Sequence, residues 1–233
     1  MKRLAIIPAR AGSKRIPGKN IKNFAGRPMI HHVLRTAQES KLFDTIHVST
    51  DSPQIIEIVG KMALGVEFMR PASLADDQTP IMPVLKYVTE EYHRRGLEFQ
   101  QVWMLMACAP LLEVETLQRA EKMFTGAGGG QPLLAVSEYP SPIEWALRRD
   151  LAGQMTPLQP GMFAVPSQSI EKKYYDAGCF AIFPPAAVLN SQGAGSDQGF
   201  LGYVLPKSMG VDIDDEQDWE MAEAIFHSKK KLD

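Results

Sequence analysis

The sequence predicts an α/β fold: a mostly parallel sheet with helices on both faces. Three observations carry this. Short apolar runs alternate with segments of helical apolar spacing from Leu4 to Val136. The 233 residues suffice for a sizeable core. The residues with chemical character follow strand-like runs, where open α/β sheets bind ligands.

Leu4–Ile7 is a compact apolar run leading into Pro, Gly, Ser and Lys, which reads as a buried strand and a loop. Met29, Ile30, Val33, Leu34 and Ala37 recur at helical spacing, predicting an amphipathic helix over 28–41. Thr45–Thr50 alternates and is β-rich, giving a second strand. Ile55, Ile56, Val59 and Met62 mark a helix, and Val66–Met69 a short strand. Met82, Val84, Leu85 and Val88 begin a helix that continues towards Arg95. Gln101–Met106 is a long apolar strand. Leu117, Ala120, Glu121 and Phe124 belong to a helix that ends before Gly128-Gly129-Gly130, and Leu133–Val136 is another strand.

Residues 139–177 break the rhythm. Pro140, Pro142, Pro157, Pro160 and Pro166 fall in this stretch without a helical or alternating pattern. It reads as an insertion within a single domain spanning 1–233: an arm over the active site or against a partner subunit, or an ordinary surface loop. Gly210–Ile213 is strand-like, and Trp219–Lys229 is a helix with Trp219, Ala222 and Phe226 on one side.

Hydrophobic residues make up 45% and charged residues 22%, as in soluble globular proteins. The formal net charge of -2 gives no electrostatic footprint for nucleic acid or a membrane surface, so neither is an expected partner. The first apolar run is too short for a signal peptide, and none approaches a membrane span. Cys108 and Cys179 lie in apolar runs and read as reduced thiols, which predicts a cytoplasmic protein. Lys229-Lys230-Lys231 suits the negative end of a helix dipole.

The loop Pro8-Ala9-Arg10-Ala11-Gly12-Ser13-Lys14-Arg15-Ile16-Pro17-Gly18-Lys19-Asn20 concentrates basic residues beside glycines after a predicted strand. A triphosphate needs backbone N–H groups that approach closely and cations that neutralise it. It is neither a Walker A loop nor a dinucleotide fingerprint. By composition alone it is an anion site or a solvated basic loop.

Asp212, Asp214, Asp215 and Asp218 cluster near the C-terminus. In an extended segment Asp212 and Asp214 share a face, and their repulsion calls for a cation or a proton. Oxygen ligands with bound phosphates suit Mg²⁺. The competing role is helix capping, for which Asp215 is the better placed. Asp51 either orders the loop or forms an Asx turn before Pro53. Asp76 and Asp77 have capping as their competing role. No histidine pair has a zinc-site context.

The order of residues in 8–20 resembles the N-terminal signature of the CMP-sialic acid synthetase (acylneuraminate cytidylyltransferase) family. So do Phe24-Ala25-Gly26-Arg27-Pro28-Met29, Val48-Ser49-Thr50-Asp51-Ser52, Arg70-Pro71-Ala72-Ser73-Leu74-Ala75-Asp76-Asp77 and Asp212-Ile213-Asp214. Tyr174-Tyr175-Asp176-Ala177-Gly178 is most similar to the pseudaminic acid branch.

The resemblance implies a Rossmann-like nucleotidyltransferase fold whose insertion serves dimerisation in a homodimer. It implies transfer of CMP from CTP to the anomeric hydroxyl of a nine-carbon sialic-acid-like sugar acid, with pyrophosphate released. Pseudaminic acid is favoured; N-acetylneuraminic, legionaminic and eight-carbon acids are alternatives, as is an inactive nucleotide-binding regulatory subunit. Arg10, Lys14, Lys19, Asp212 and Asp214 would be catalytic, with Mg²⁺ on Asp212 and Asp214. Ala9, Arg10, Ala11, Gly12, Ser13, Lys19, Asn20, Arg70 and Asp77 would bind the nucleotide. Gln168, Tyr175, Asp176 and Phe180 would meet the sugar. Met106-Ala107-Cys108-Ala109-Pro110, Pro166-Ser167-Gln168-Ser169 and Cys179-Phe180-Ala181 depart from the family pattern, all on the sugar side.

Overall fold

The computed structural model describes residues 1–230. Lys231 of the basic tail lies outside them. In chain order the first half consists of β1 (Arg3–Pro8), β2 (Asn23–Phe24), β3 (Arg27–Pro28), α1 (Met29–Ser40), β4 (Thr45–Ser49), α2 (Pro53–Gly60), α3 (Ile81–Arg94), β5 (Gln101–Leu105) and α4 (Val114–Gly126). The second half adds β6 (Leu133–Glu138), β7 (Leu147–Arg149), β8 (Met155–Pro157), β9 (Tyr174–Phe183), α5 (Pro185–Leu189), β10 (Leu201–Val204) and α6 (Glu216–Lys230).

Six strands form the central sheet in the order β10-β6-β9-β5-β1-β4. The pairs β1–β4, β1–β5 and β6–β10 are parallel, and β9 runs antiparallel to both β5 and β6. Alternation along β1 explains the helices on both faces. Ala5 and Ile7 face Ile30, Val33 and Leu34 of α1 and Leu117 of α4, while Leu4 and Ile6 face Leu85 and Val88 of α3.

A third apolar cluster positions the site. Ile16 of the basic loop, Phe24 and Met29 pack with Ile213, Trp219 and Ala222. Ile213 lies between Asp212 and Asp214, so burying it fixes where the two carboxylates project. A fully buried side chain of this size contributes about 1.5–3 kcal/mol. The β2–β3 turn, Ala25-Gly26, has positive φ at both residues (47° and 89°), the geometry of the tight hairpin that leads into α1.

Val66–Met69 is not a strand. Its Phe68 instead stacks on His47, and two residues on Arg70 N–H donates to Thr50 O at 2.8 Å. Gly210–Ile213 is also not a strand. Helix α2 ends at Gly60, with Met62 in the turn beyond it. Strands β9 and β10 and helix α5 are not predicted from the sequence, and Tyr174–Ala177, expected in the insertion, lie in β9. Arm residues 139–173 carry the β7–β8 hairpin.

Candidate active site

The basic loop leaves β1 at Pro8, in the sheet interior. Ala9 is buried, and its N–H donates to Ser49 O at 2.9 Å, continuing the β1–β4 ladder. Asp51 Oδ1 accepts from Ala11 N–H at 3.1 Å, so Asp51 orders the loop. The neighbouring Ser52 caps α2, its Oγ accepting from Ile55 N–H. Asn20 Nδ2 donates to Arg10 O at 3.1 Å and closes the loop on itself. Gly18 takes a positive φ of 62° at the turn where Ile21 and Lys22 N–H donate back to its carbonyl. Gly12 is exposed, and a Cβ there would meet nothing.

A cleft of ≈ 390 Å³ brings Arg10, Ser13, Lys14, Lys19 and Asn20 together with Arg70, Asp77, Asp212 and Asp214. The sequence had dispersed these residues over the whole chain. Arg70 is buried; its Nε donates to Ser49 Oγ at 3.1 Å and its Nη2 to Ser49 O at 2.7 Å. Burial lowers its pKa and the nearby Asp51 opposes that shift. Asp77 pairs with both Arg10 and Lys14. Asp76 accepts from Gln78 N–H, Thr79 N–H and Thr79 Oγ1, making a turn ahead of α3.

Opposite the loop, Lys19 Nζ donates to Ile213 O at 2.5 Å and lies 3.6 Å from Asp214. Arg15, for which the sequence predicts no role, donates from Nη1 to Asp214 Oδ2 at 2.6 Å. Its place in the basic loop was the available signal. Asp215 caps α6, accepting from Gln217 and Asp218 N–H, while Asp218 accepts from Asp214 and Asp215 N–H. This reciprocal cap leaves the Asp212 and Asp214 carboxylates for the cleft.

Asp212 is pushed above the usual carboxyl range by burial first and by Asp214 second, with Lys19 opposing. Asp212 remains exposed to the cleft, and two neighbouring carboxylates are the setting that a cation relieves. Mg²⁺ is ordinarily held by one or two carboxylates with phosphate oxygens completing its shell. The pair fits that pattern, although the described residues hold no cluster of three or more potential ligands.

The sugar-side residues do not converge. Gln168 lines a separate cleft in the arm with Tyr139 and Lys172. Tyr175 packs on Tyr139, ring centroids 4.9 Å apart. Asp176 Oδ1 accepts from Gly178 N–H at 2.9 Å and braces the chain beside Asp212. Phe180 is 0% exposed and stacked with Trp103 in the core, so it is a packing residue. The cleft instead has an apolar wall of Ile81, Val84, Met106, Ala107 and Cys108.

A basic loop and a carboxylate pair facing each other at the carboxyl ends of parallel strands define a nucleotidyltransferase. Residues 4–127 match the cytidylyltransferase family. The chain belongs to that family and is a CTP-utilising enzyme of it. Over 97% of both chains it is 33% identical to pseudaminic acid cytidylyltransferase of Campylobacter jejuni. It is 28% identical, again over 97% of both, to CMP-N,N'-diacetyllegionaminic acid synthase of Legionella pneumophila. Among solved structures, CMP:2-keto-3-deoxy-manno-octonic acid synthetase complexed with CTP superposes with a TM-score of 0.70 at 15% identity, covering 98% of this chain and 100% of the other.

Proposed function

We propose that the chain transfers CMP from CTP to the anomeric hydroxyl of a nine-carbon sialic-acid-like sugar acid, with pseudaminic acid as the favoured acceptor. The observation that carries the acceptor is the likeness to pseudaminic acid cytidylyltransferase along 97% of both chains. The loop and carboxylate pair supply the chemistry.

The hydroxyl oxygen of the sugar forms a bond to the α-phosphorus, the bond from that phosphorus to the oxygen bridging to the β-phosphate breaks, and the hydroxyl proton passes to a carboxylate of the Asp212/Asp214 pair. Catalysis of this kind is chiefly positioning and charge neutralisation. Arg10 and Lys14 take up the charge of the departing pyrophosphate once they leave Asp77. Lys19, held by Ile213 O, keeps its ammonium beside Asp214. Arg70 gives the nucleotide side of the cleft a fixed positive wall. Asp212 and Asp214 would hold a Mg²⁺ ion, which would supply Lewis-acid polarisation of the phosphate and a lowered hydroxyl pKa. Asp212 accepts no hydrogen bond from the described residues, which leaves its oxygens open to a cation.

The chain works in the cytoplasm as a homodimer in this reading. Two buried free thiols suit the first, and apolar residues exposed along the arm suit the second.

Pyrophosphate release is measured with CTP, Mg²⁺ and a panel of pseudaminic, N-acetylneuraminic, legionaminic and eight-carbon acids. Release with pseudaminic acid at the highest kcat/KM is expected. Preference for another acid reassigns the acceptor, and CTP binding without release from any acid makes the chain a nucleotide-binding subunit. Asp212→Asn is expected to lose orders of magnitude in turnover while CTP still binds.

A further inference from the structure

We infer that Gly178 and Gly210 form the seat of the Asp212 carboxylate and are positioning residues for the reaction. The inference rests on the nucleotidyl-transfer reading and gives two backbone positions a defined part in it.

Strand β9 bulges where it passes the cleft. Leu134 of β6 faces Ala181, yet Val136, two residues on, faces Asp176. The surplus residues on β9 turn the backbone out of the ladder, the device by which sheets re-aim a chain beside a site. Gly178 lies within the bulge at φ +61° and lines the cleft. Asp176 Oδ1 holds its N–H at 2.9 Å. The Asp212 carboxylate lies against Gly178, and a Cβ added there would stand 3.2 Å from its Cγ and 3.3 Å from both oxygens. Those contacts are tighter than ordinary packing, and they press on the one group that must stay in place. The positive φ adds strain for any other residue.

The second half of the seat lies two residues before Asp212. A Cβ at Gly210 would stand 1.8 Å from Ser137 Oγ and 3.1 Å from Ser137 Cβ, so either the Ser137 side chain turns away or the Gly210 backbone moves. Ser137 belongs to β6, and its buried Oγ has no hydrogen-bond partner. The backbone at Gly210 therefore passes directly over β6, and this close approach delivers Val211–Asp214 to the bulge. Ile213, buried in the cluster with Ile16, holds the far side. Asp212 is thus placed by glycine on one flank, by glycine upstream and by an apolar anchor downstream. Neither glycine contact touches the nucleotide loop.

The test compares wild type, Gly178→Ala, Gly210→Ala and the double variant Gly210→Ala/Ser137→Ala. Circular dichroism and thermal melting check folding, steady-state kinetics gives kcat and KM for CTP, and Mn²⁺ binding with CTP present is followed by electron paramagnetic resonance. Displacing a reacting-site group by about 1 Å costs roughly a hundredfold in rate, so kcat of Gly178→Ala is expected to fall by about that factor. Its KM for CTP stays within about threefold, because the nucleotide loop is untouched, while its Mn²⁺ affinity drops about tenfold. Ser137→Ala removes the worst overlap and restores part of the kcat lost in Gly210→Ala.

A folded Gly178→Ala with wild-type kcat and Mn²⁺ affinity overturns the seat. If Gly178→Ala does not fold, the Gly210 pair decides, and absence of rescue by Ser137→Ala overturns it. Wild-type protein that binds no Mn²⁺ with CTP present would remove the metal from Asp212 and Asp214, and the kcat comparison alone would then judge the seat.

Discussion

Asp77 and Arg10, 67 positions apart in sequence, are ion-paired on the wall of the cleft, and the same carboxylate holds Lys14. Hydrogen bonds from Lys14 and Arg10 keep the Asp77 carboxyl below its usual range, so it is an anion at neutral pH. It occupies two cations that a triphosphate requires. Asp77→Asn is therefore expected to tighten CTP binding about two- to fivefold, as screened surface pairs of this kind are worth little. Isothermal titration with CTP checks this. Weaker CTP binding in the variant would make Asp77 an organiser of the loop instead of a competitor.

Lys14 and Lys19 belong to one loop but not to one environment. The Lys14 side chain is 81% exposed and that of Lys19 16%. Lys19 also ties the loop to Ile213 O across the cleft. Lys19→Met removes a positioned charge and frees the carboxylate segment, and kcat should fall about a hundredfold or more. Lys14→Met, which removes an exposed charge, should cost about tenfold and chiefly in KM for CTP. Equal losses in the two variants would contradict this ranking.

Much of the nucleotide side was legible in the sequence, and little of the acceptor side was. The loop after β1 is a local signal: apolar strand, glycines, four cations in order. The Asp212/Asp214 pair and its separation from the Asp215 cap follow from helix-start chemistry close by. Strand β9 was hidden because its bulge at Gly178 destroys the alternation that marks a strand, and its first residues follow a proline-rich stretch. Phe180 is a sugar contact only by the family resemblance, and nothing in the sequence says that the residue just past a bulge points into the core. Val66–Met69 has the apolar content of a strand and lies beside the edge strand β4, but Phe68 packs its ring on His47 and the segment forms no ladder.

His47 gives the fold a pH dependence. It is buried on β4, its Nδ1 lies 3.1 Å from the Tyr92 hydroxyl, and its Nε2 has no partner. Burial first, then Arg95 and Arg70, lower its pKa from 6.5 to about 3. Between those two values the unfolded chain binds a proton at His47 that the folded chain refuses. Stability is complete above the upper value and falls as the pH drops through the window, by at most about 1.4 kcal/mol per pH unit. His31, also lowered by burial, acts in the same sense. Urea midpoints at pH 7 and pH 5 should differ more for wild type than for His47→Gln. Parallel slopes would show that His47 does not carry the effect.

The arm supplies the last expectation. Ile143, Leu147, Leu151, Met155, Leu158 and Phe163 are all exposed, and Leu151 is wholly so at 107%. Exposed apolar residues concentrated in one segment mark an interaction surface. A homodimer through the arm would bury them, each partly covered side chain adding a fraction of the full-burial gain of about 1.5–3 kcal/mol. Leu147→Asp and Leu151→Asp replace that gain with the cost of burying a charge. Light scattering after size exclusion should show wild type as a dimer and the double variant as a monomer at the same concentration. Thermal melting separates this from misfolding, because side chains exposed in the single chain are not part of its core. A monomeric wild type, or a dimer indifferent to both substitutions, would place the partner surface elsewhere. If kcat falls together with the dimer, the arm also completes the cleft; if kcat holds, each chain carries a whole active site.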